Sequence, residues 1–266
     1  MYNNILILIE RIMINDFINS QQTTLNKNGS NKECFLFEDY VLLYGSCKEE
    51  ELKKLIETST FLEKKGVAIL PTLAYKIVSP PNPLGYTKGY FLQKRAKGTE
   101  LYKSKMSETE YKERLNEIAH MSPAQIDQFV SDWLSISGAG LLIDPSKCEN
   151  FFYSNGRISF IDLNISTHDQ PLSEKFAQIT NVLLGLGLKS KYKADENNHA
   201  TILKNVSCSF LKRGLPLREI QNNILEYDYF MNKDTMNRVI TDLAEKQSRN
   251  NSLMTGFIPK NKVSGR

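Results

Sequence analysis

Three polar side chains in one short stretch of this 266-residue chain have the types and order that phosphoryl transfer needs. In "GAGLLIDPSKCENFFYSNGRISFIDLN", Asp144 precedes Asn150, and Asp162 ends a short apolar strand. Phosphoryl transfer depends mainly on positioning and on charge neutralisation, so a carboxylate near the attacking hydroxyl and oxygen ligands for Mg²⁺ are the main protein parts. We therefore predict that Asp144 orients or deprotonates an acceptor hydroxyl and that Asn150 and Asp162 hold Mg²⁺.

The elements around these residues are predicted from turn signals and apolar spacing. The turn Ser154-Asn155-Gly156 predicts a β-hairpin, whose second strand carries Asp162 at its end. Upstream, the order is strand (34–37), strand (40–44), a helix that stops at Gly66, a strand broken by Pro71 and a strand at 90–95. This order predicts a small sheet with one helix.

From Ser107 onward the pattern is mainly helical, and Ser107 with Glu110 forms a capping-box signature. The predicted helical stretches are 107–120, 123–137, 171–186, 198–213, 216–227 and 233–247. We therefore predict an α+β fold with two lobes, a small β-rich N-lobe and a mainly helical C-lobe.

Composition excludes several other classes of protein. The chain is 41% hydrophobic and 24% charged, with a net charge of +4, which is too little for a dedicated nucleic-acid binder. The four cysteines are scattered and the three histidines are far apart, so neither a zinc site nor a disulfide framework is predicted. No apolar run of about 18 residues is present, so no membrane span is predicted either.

The motif residues also resemble those of the protein-kinase-like superfamily, which includes eukaryotic-type kinases, aminoglycoside phosphotransferases and kinase-like bacterial effectors. That family has Asp and Asn on a catalytic loop, followed about a dozen residues later by a metal-binding Asp between hydrophobic residues. Here the step from Asp144 to Asn150 is one residue longer, and Asn164 stands where glycine is usual. Leu142-Ile143 replaces the usual His-Arg, so control through a phosphorylated activation loop is not expected. The resemblance implies ATP and Mg²⁺ as cofactors.

It also implies the residues that bind the nucleotide. Glu57 corresponds to the helix glutamate that pairs with the nucleotide-binding lysine, and Leu92 to the gatekeeper-like position. The backbone of Gln93, Lys94 and Arg95 would face the purine.

The usual strand lysine is missing from "YVLLYGS", and the glycine-rich loop retains only Gly29. "GSNKECF" is similar to the loop of the with-no-lysine kinases, which makes Lys32 the candidate for the lysine that contacts the phosphates. Lys48 is the alternative.

The domain organisation follows from these elements. We expect an N-terminal helix and polar leader (1–24), an N-lobe (25–97), a C-lobe (98–250) and a flexible tail (251–266). The leader lacks the basic residues and cleavage site of a secretory signal, and its polar composition resembles that of exported bacterial effectors.

The leading hypothesis is an effector-type protein Ser/Thr kinase. It would lie in the cytoplasm of the producing cell, with secretion into a host cell, virulence and a host protein substrate as open extensions. The expected partner is a protein substrate, with no nucleic acid and no membrane span, and the oligomeric state is left open. One alternative is a small-molecule kinase of the aminoglycoside-phosphotransferase type. Another is a pseudokinase that acts as an interaction protein, which the missing strand lysine and the sparse glycine loop favour.

Overall fold

The computed structural model describes residues 25–26, 33–36, 39–103, 105–166, 168–185, 196–227 and 231–255. The chain divides into two compact units. The first consists of Met1–Ser104 with Ser131–Asp169, and the second of Lys105–Val130 with Gln170–Arg266. The predicted N-terminal helix and leader (1–24) lie outside the described residues.

All of the described strands belong to the first unit, and most of the described helices belong to the second. The strands are β1 (Leu25–Asn26), β2 (Glu33–Leu36), β3 (Tyr40–Cys47), β4 (Thr72–Ile77), β5 (Thr87–Lys94), β6 (Thr99–Glu100), β7 (Leu141–Leu142), β8 (Phe151–Ser154), β9 (Arg157–Phe160) and β10 (Asn164–Ile165).

The helices agree closely with the stretches predicted from apolar spacing. They are α1 (Glu49–Lys64), α2 (Glu108–Ala119), α3 (Pro123–Gly138), α4 (Leu172–Leu183), α5 (Glu196–Lys212), α6 (Leu217–Leu225) and α7 (Lys233–Thr255), with a 3₁₀ turn at Cys148–Asn150. Helix α3 contributes residues to both units. None of the described helices is long and apolar enough to cross a membrane.

Strands β1 to β5 form an antiparallel sheet in the order β1-β2-β3-β5-β4, with α1 between β3 and β4 in the chain. The predicted order of strand, strand, helix, strand and strand is therefore confirmed. Helix α1 begins with three glutamates and ends with Lys64, as the helix dipole favours, and it buries Leu52 and Leu62. Strand β4 begins only after Pro71, because proline has no N–H to donate to a ladder.

The predicted hairpin is present as β8 and β9. Its turn residues Asn155 and Gly156 have φ values of 50° and 75°, the left-handed pair that a two-residue hairpin turn requires. Phe151 and Phe160, which face each other in the ladder, pack around Trp133 of α3 with ring centroids 5.7 and 5.9 Å from it. This buried aromatic cluster fixes the hairpin that carries the motif residues.

The second unit is a helical domain with its own core, in which the rings of Phe176 and Phe210 meet edge to face at 5.3 Å. The capping box of α2 is confirmed, since Ser107 Oγ accepts from the N–H of Glu110 and the Glu110 carboxylate accepts from the N–H of Ser107. The α+β class predicted from the sequence is confirmed. Residues 131–169, predicted in the C-lobe, group with the sheet, and α7 extends into the stretch predicted as a tail.

Candidate active site

A short antiparallel ladder brings the two ends of the motif together. Strand β7 pairs with β10, so that Leu142 lies opposite Asn164 and Leu141 opposite Ile165. Asp144 follows β7 by two residues and Asp162 precedes β10 by two residues, so both carboxylates stand at the same end of one ladder. The intervening Ile143 and Leu163 are buried, which anchors this end of the ladder in the first unit.

Asp144 is held by the residues that follow it in the loop. Its Oδ1 accepts from Ser146 Oγ at 2.6 Å and from the Ser146 N–H at 3.0 Å. The Lys147 ammonium lies 3.6 Å from Oδ2. Partial burial alone raises the pKa of the Asp144 carboxyl, but the hydrogen bonds from Ser146 and the charge of Lys147 outweigh burial, so that this pKa lies below its usual value. Asp144 is therefore ionised at neutral pH.

The 3₁₀ turn places Asn150 beside the strand that leads to Asp162. The Asn150 N–H donates to the carbonyl of Lys147, and the Asn150 carbonyl accepts from the Ile161 N–H at 2.9 Å. Asn150 is only 3% exposed, and among the described residues its Nδ2 has no hydrogen-bond partner. The extra residue between Asp144 and Asn150 is thus accommodated within a regular turn.

The backbone of Asp162 is in the left-handed region, with φ of 52°. A residue other than glycine is uncommon there, although Asp tolerates this region better than most residues, and such conformations cluster at functional sites. The next positions return to extended geometry, because Asn164 pairs in β10. Asn164 can therefore occupy the position where the kinase motif usually has glycine.

A buried carboxylate on α3 secures β9, the strand that ends two residues before Asp162. Asp132 is 2% exposed, and its Oδ2 accepts from the Ala68 N–H at 3.1 Å. The Ala68 carbonyl accepts from the Phe160 N–H at 2.8 Å, and the Phe160 carbonyl accepts from the Leu70 N–H at 3.1 Å. The segment between α1 and β4 is therefore bonded on one side to α3 and on the other to β9.

Asp162 also lines a cavity of about 310 Å³ in the first unit. Its walls come from β3, Lys48 and α1, β4, Tyr86 and β5, and the segment 162–165. Leu43, Leu55 and Phe91 are among the apolar residues of the wall. This volume and this mixture of apolar walls with a few polar groups are typical of small-molecule sites.

The polar groups of the cavity include two pairs. Lys48, at the start of α1, lies 3.2 Å from Glu51, and Gln93 Nε2 donates to Thr72 Oγ1 at 2.9 Å. The hydrogen bond to Glu51 and the charge of that carboxylate raise the pKa of Lys48, so the ammonium form is favoured.

Of the residues predicted to bind the nucleotide, the structure places some in the cavity wall and others outside it. Gln93 lines the cavity, whereas Glu57 is exposed on α1 and is not part of the cavity wall. Lys94 forms an ion pair with Glu63 at 2.6 Å, and the Arg95 N–H donates to the carbonyl of Asp39 at 2.8 Å.

Leu92 packs with Leu42 and Ala74 and does not line the cavity. Gly29 and Lys32 lie outside the described residues.

Sequence reasoning missed three polar residues near this site: Glu51, Thr72 and Lys147. Lys147 could have been found, since a cation between the motif's carboxylate and its amide suits a phosphorylated substrate. Glu51 is one of several acidic residues in the first turn of α1, and nothing in its local sequence distinguishes it. Thr72 lies in the cavity wall because β4 pairs with β5 in a register that sets it opposite Gln93, and its local sequence does not reveal this pairing.

The donor set fits Mg²⁺. Among the described residues there is no group of three or more His, Cys, Asp or Glu side chains that could hold a metal ion. A magnesium ion that bridges phosphate oxygens needs only one or two protein oxygens, and Asp162 and Asn150 supply these types. A half-turn of the Asn150 amide exchanges its oxygen and nitrogen, so the buried position without a partner can equally hold Oδ1.

No model of a protein family matches the chain, and no curated protein matches it. Among solved structures, the chain is similar to "WaaP in complex with acyl carrier protein", with 14% identity and a TM-score of 0.49 over 86% of this chain and 91% of that one. It is similar to the Cydia pomonella granulovirus kinase PK-1, with 11% identity and a TM-score of 0.39 over 65% and 73%. It is also similar to a choline/ethanolamine kinase family protein from Mesorhizobium loti, with 12% identity and a TM-score of 0.40 over 88% and 81%.

At these identities, and with TM-scores below 0.5, the likeness carries no inference about fold, activity or substrate. The small antiparallel sheet and the helical second unit agree with the predicted α+β class.

Proposed function

We propose that this protein is an ATP- and Mg²⁺-dependent phosphotransferase of the protein-kinase-like type, and that its acceptor is a Ser or Thr hydroxyl of a protein, as in the bacterial effector kinases. The observation that supports this most is the register of β7 with β10, which sets Asp144 and Asp162 at the same end of one ladder. Asn150 is tied to the same end through its hydrogen bond with Ile161. A base and two oxygen ligands at one place are what phosphoryl transfer requires.

Asp144 is the residue proposed to act on the acceptor. Because its pKa lies below the usual value, the carboxylate is available to orient the incoming hydroxyl and to accept its proton. Ser146 holds the carboxylate through Oδ1, which leaves Oδ2 toward Lys147. Lys147 is proposed to contact the transferred phosphoryl group, since its ammonium lies beside the base.

Asn150 and Asp162 are proposed to hold the metal. When bound, Mg²⁺ would neutralise the charge of the phosphate oxygens. The left-handed backbone of Asp162 and the 3₁₀ turn of Asn150 fix the backbone at both positions before substrate arrives, so little backbone ordering remains to be done on binding.

The cation on the nucleotide side has two candidates. Lys48 with Glu51 lines the cavity that also contains Asp162, which supports this pair over Glu57 for that role. Lys32, the lysine favoured by the resemblance to the with-no-lysine kinases, lies outside the described residues. Substitution of each lysine by methionine distinguishes the two.

The direct test is transfer of label from γ-labelled ATP to the protein itself and to candidate protein substrates, followed by mass spectrometry of the product. Added phosphate on Ser or Thr that is lost in Asp144→Asn and in Asp162→Asn is the expected result. Added AMP would replace the proposed reaction by nucleotidyl transfer. Label found only on small acceptors would indicate a small-molecule kinase, and nucleotide binding without any transfer would indicate a pseudokinase.

A further inference from the structure

The loop between β4 and β5 exposes an unusual amount of apolar surface. Among the described residues, six large hydrophobic side chains are exposed, and three of them lie on this loop: Val78, Leu84 and Tyr86, at 47%, 75% and 42%. We call residues 78–86 the β4–β5 tip. Its sequence, "VSPPNPLGY", has no charged residue, and its three prolines are exposed too. Single exposed hydrophobic residues are ordinary, but several gathered on one uncharged loop mark a candidate contact surface.

The tip is held in one shape by its own hydrogen bonds. Asn82 Oδ1 accepts from the N–H groups of Leu84 and Tyr86 at 2.9 and 3.0 Å. The Asn82 carbonyl accepts from the Gly85 N–H, and the Asn82 N–H donates to the Tyr86 carbonyl, each at 2.8 Å. Leu84 therefore projects from an ordered turn, and docking would need little further ordering of the chain.

Two lysines flank the tip. Lys76 lies opposite Tyr90 in the β4–β5 register, and the Val78 N–H donates to the Lys88 carbonyl. Since side chains alternate along a strand, Lys76, Val78 and Lys88 face the same side of the sheet. Both lysines are exposed, and within the described part of the chain neither ammonium forms a hydrogen bond or an ion pair. Residues 76–88 contain no acidic side chain.

We propose that the β4–β5 tip docks on an anionic lipid surface. Leu84 would enter the boundary between headgroups and acyl chains, whereas the Tyr86 ring, whose centroid lies 5.3 Å from Lys48 Nζ, remains part of the cavity wall. Lys76 and Lys88 would contact the lipid phosphates. An uncharged apolar tip with an exposed lysine on each side is complementary to a lipid surface that carries negative charge. This proposal does not depend on the proposed phosphotransfer.

The test is sedimentation of the full chain with vesicles of phosphatidylcholine alone and with vesicles in which phosphatidylserine replaces part of it. Binding is expected only to the vesicles with phosphatidylserine, and added salt should weaken it. Leu84→Ser should weaken binding on the order of tenfold, since Leu84 is the most exposed large hydrophobic side chain of the tip. Lys76→Gln and Lys88→Gln should each weaken it about fivefold.

The control is Leu225→Ser, which makes the same change at an exposed leucine of α6. It should leave vesicle binding unchanged, and circular dichroism should show that both leucine variants are folded. Absence of binding by the natural chain, or equal binding by Leu84→Ser, would overturn the proposal. Equal loss in Leu84→Ser and Leu225→Ser would also overturn it. Sedimentation velocity serves the remaining case: a dimer that Leu84→Ser dissociates would show that the tip docks on a second copy of the chain instead.

Discussion

Asp144 illustrates how one residue's environment sets its proposed chemistry. Burial opposes ionisation of its carboxyl, while Ser146 and Lys147 favour it, and the balance holds the pKa below its usual value. Ser146→Ala removes the hydroxyl that donates at 2.6 Å, so burial is then less opposed and the pKa of Asp144 should rise. The acid limb of the pH profile of kcat/KM should therefore move to higher pH.

The matched control for this prediction is Ser135→Ala, which removes an exposed hydroxyl that donates to the Ser131 carbonyl within α3. It should leave the pH profile in place. If Ser146→Ala and Ser135→Ala gave the same profile, Asp144 would not be the group whose ionisation limits activity at low pH.

The choice between the two candidate lysines is also a question of single residues. Because Lys48 lines the cavity with Asp162, we expect Lys48→Met to lower kcat/KM for ATP on the order of 100-fold, as loss of a preorganised cation does. Lys53→Met is the control, since Lys53 is exposed and forms an ion pair with Glu49 along the helix surface. A large loss in Lys32→Met with full activity in Lys48→Met would reverse the assignment.

At the scale of elements, Gly98 shows why β6 can reach the hairpin. It has φ of 95°, and a Cβ at this position would lie 2.2 Å from the Tyr153 carbonyl oxygen of β8. Gly98→Ala should therefore lower the free energy of unfolding by about 3 kcal/mol or more, because both the backbone and the contact are strained. Urea unfolding monitored by circular dichroism measures this loss.

Gly66→Ala provides the comparison, because Gly66 has φ of 86° and no atom within 4 Å of the added Cβ. Its cost should be about 1 kcal/mol, from backbone conformation alone. Equal costs for the two substitutions would show that β6 moves away from the hairpin without penalty.

The hydrogen bond between Asp132 and Ala68 also acts between elements, because it joins α3 to the segment between α1 and β4. Asp132→Leu leaves the buried Ala68 N–H without its acceptor, so stability should fall by about 1–3 kcal/mol. Since Ala68 is bonded to Phe160, the requirement for Mg²⁺ in the assay should also rise. Asp132→Asn, which keeps an acceptor oxygen, should restore both properties. Asp127→Asn, in the same helix but bonded to Arg213 in the second unit, should lower stability without a change in the Mg²⁺ requirement.

The elements were largely predictable, and the errors have a physical reason. The Asn155-Gly156 turn, the capping box of α2 and most helix bounds follow from local chemistry, which the sequence displays directly. Leu92 was assigned to the nucleotide side by position along the chain alone. Its pairing with Leu42 and Ala74 sets the alternation of β5, and a shift by one residue moves a side chain to the opposite face of a sheet. The face of β5 that lines the cavity therefore carries Phe91 and Gln93, and Leu92 lies on the opposite face.

At the scale of the whole molecule, nucleotide binding should raise the melting temperature. A ligand at 100 times its dissociation constant stabilises the folded state by about 2.7 kcal/mol, which for a chain of this length raises Tm by about 5 to 10 °C. We expect this shift with ATP and Mg²⁺ together, and a much smaller shift in Asp162→Asn. An equal shift in both proteins, measured by differential scanning fluorimetry, would remove Asp162 from the site.

The grouping of the motif segment was the least predictable property of the whole chain. Residues 131–169 follow a helical stretch in sequence, yet they share a compact unit with the sheet, through contacts such as those of Ala68 with Asp132 and Phe160. These bonds join residues far apart along the chain, and no local pattern encodes them. The second unit, whose contacts are mostly between helices, follows more directly from its apolar spacing.

The left-handed backbone of Asp162 has a genetic consequence. Asn adopts this conformation as readily as Asp does, and the codons for the two residues differ by a single base. One point mutation can therefore remove the charge that is proposed to hold the metal without straining the backbone at this position. A lineage of such chains could therefore pass from catalyst to binding protein in one step and return by the reverse change. Catalytic and non-catalytic relatives should then differ at the position of Asp162, while the sequence of the β8–β9 hairpin remains alike.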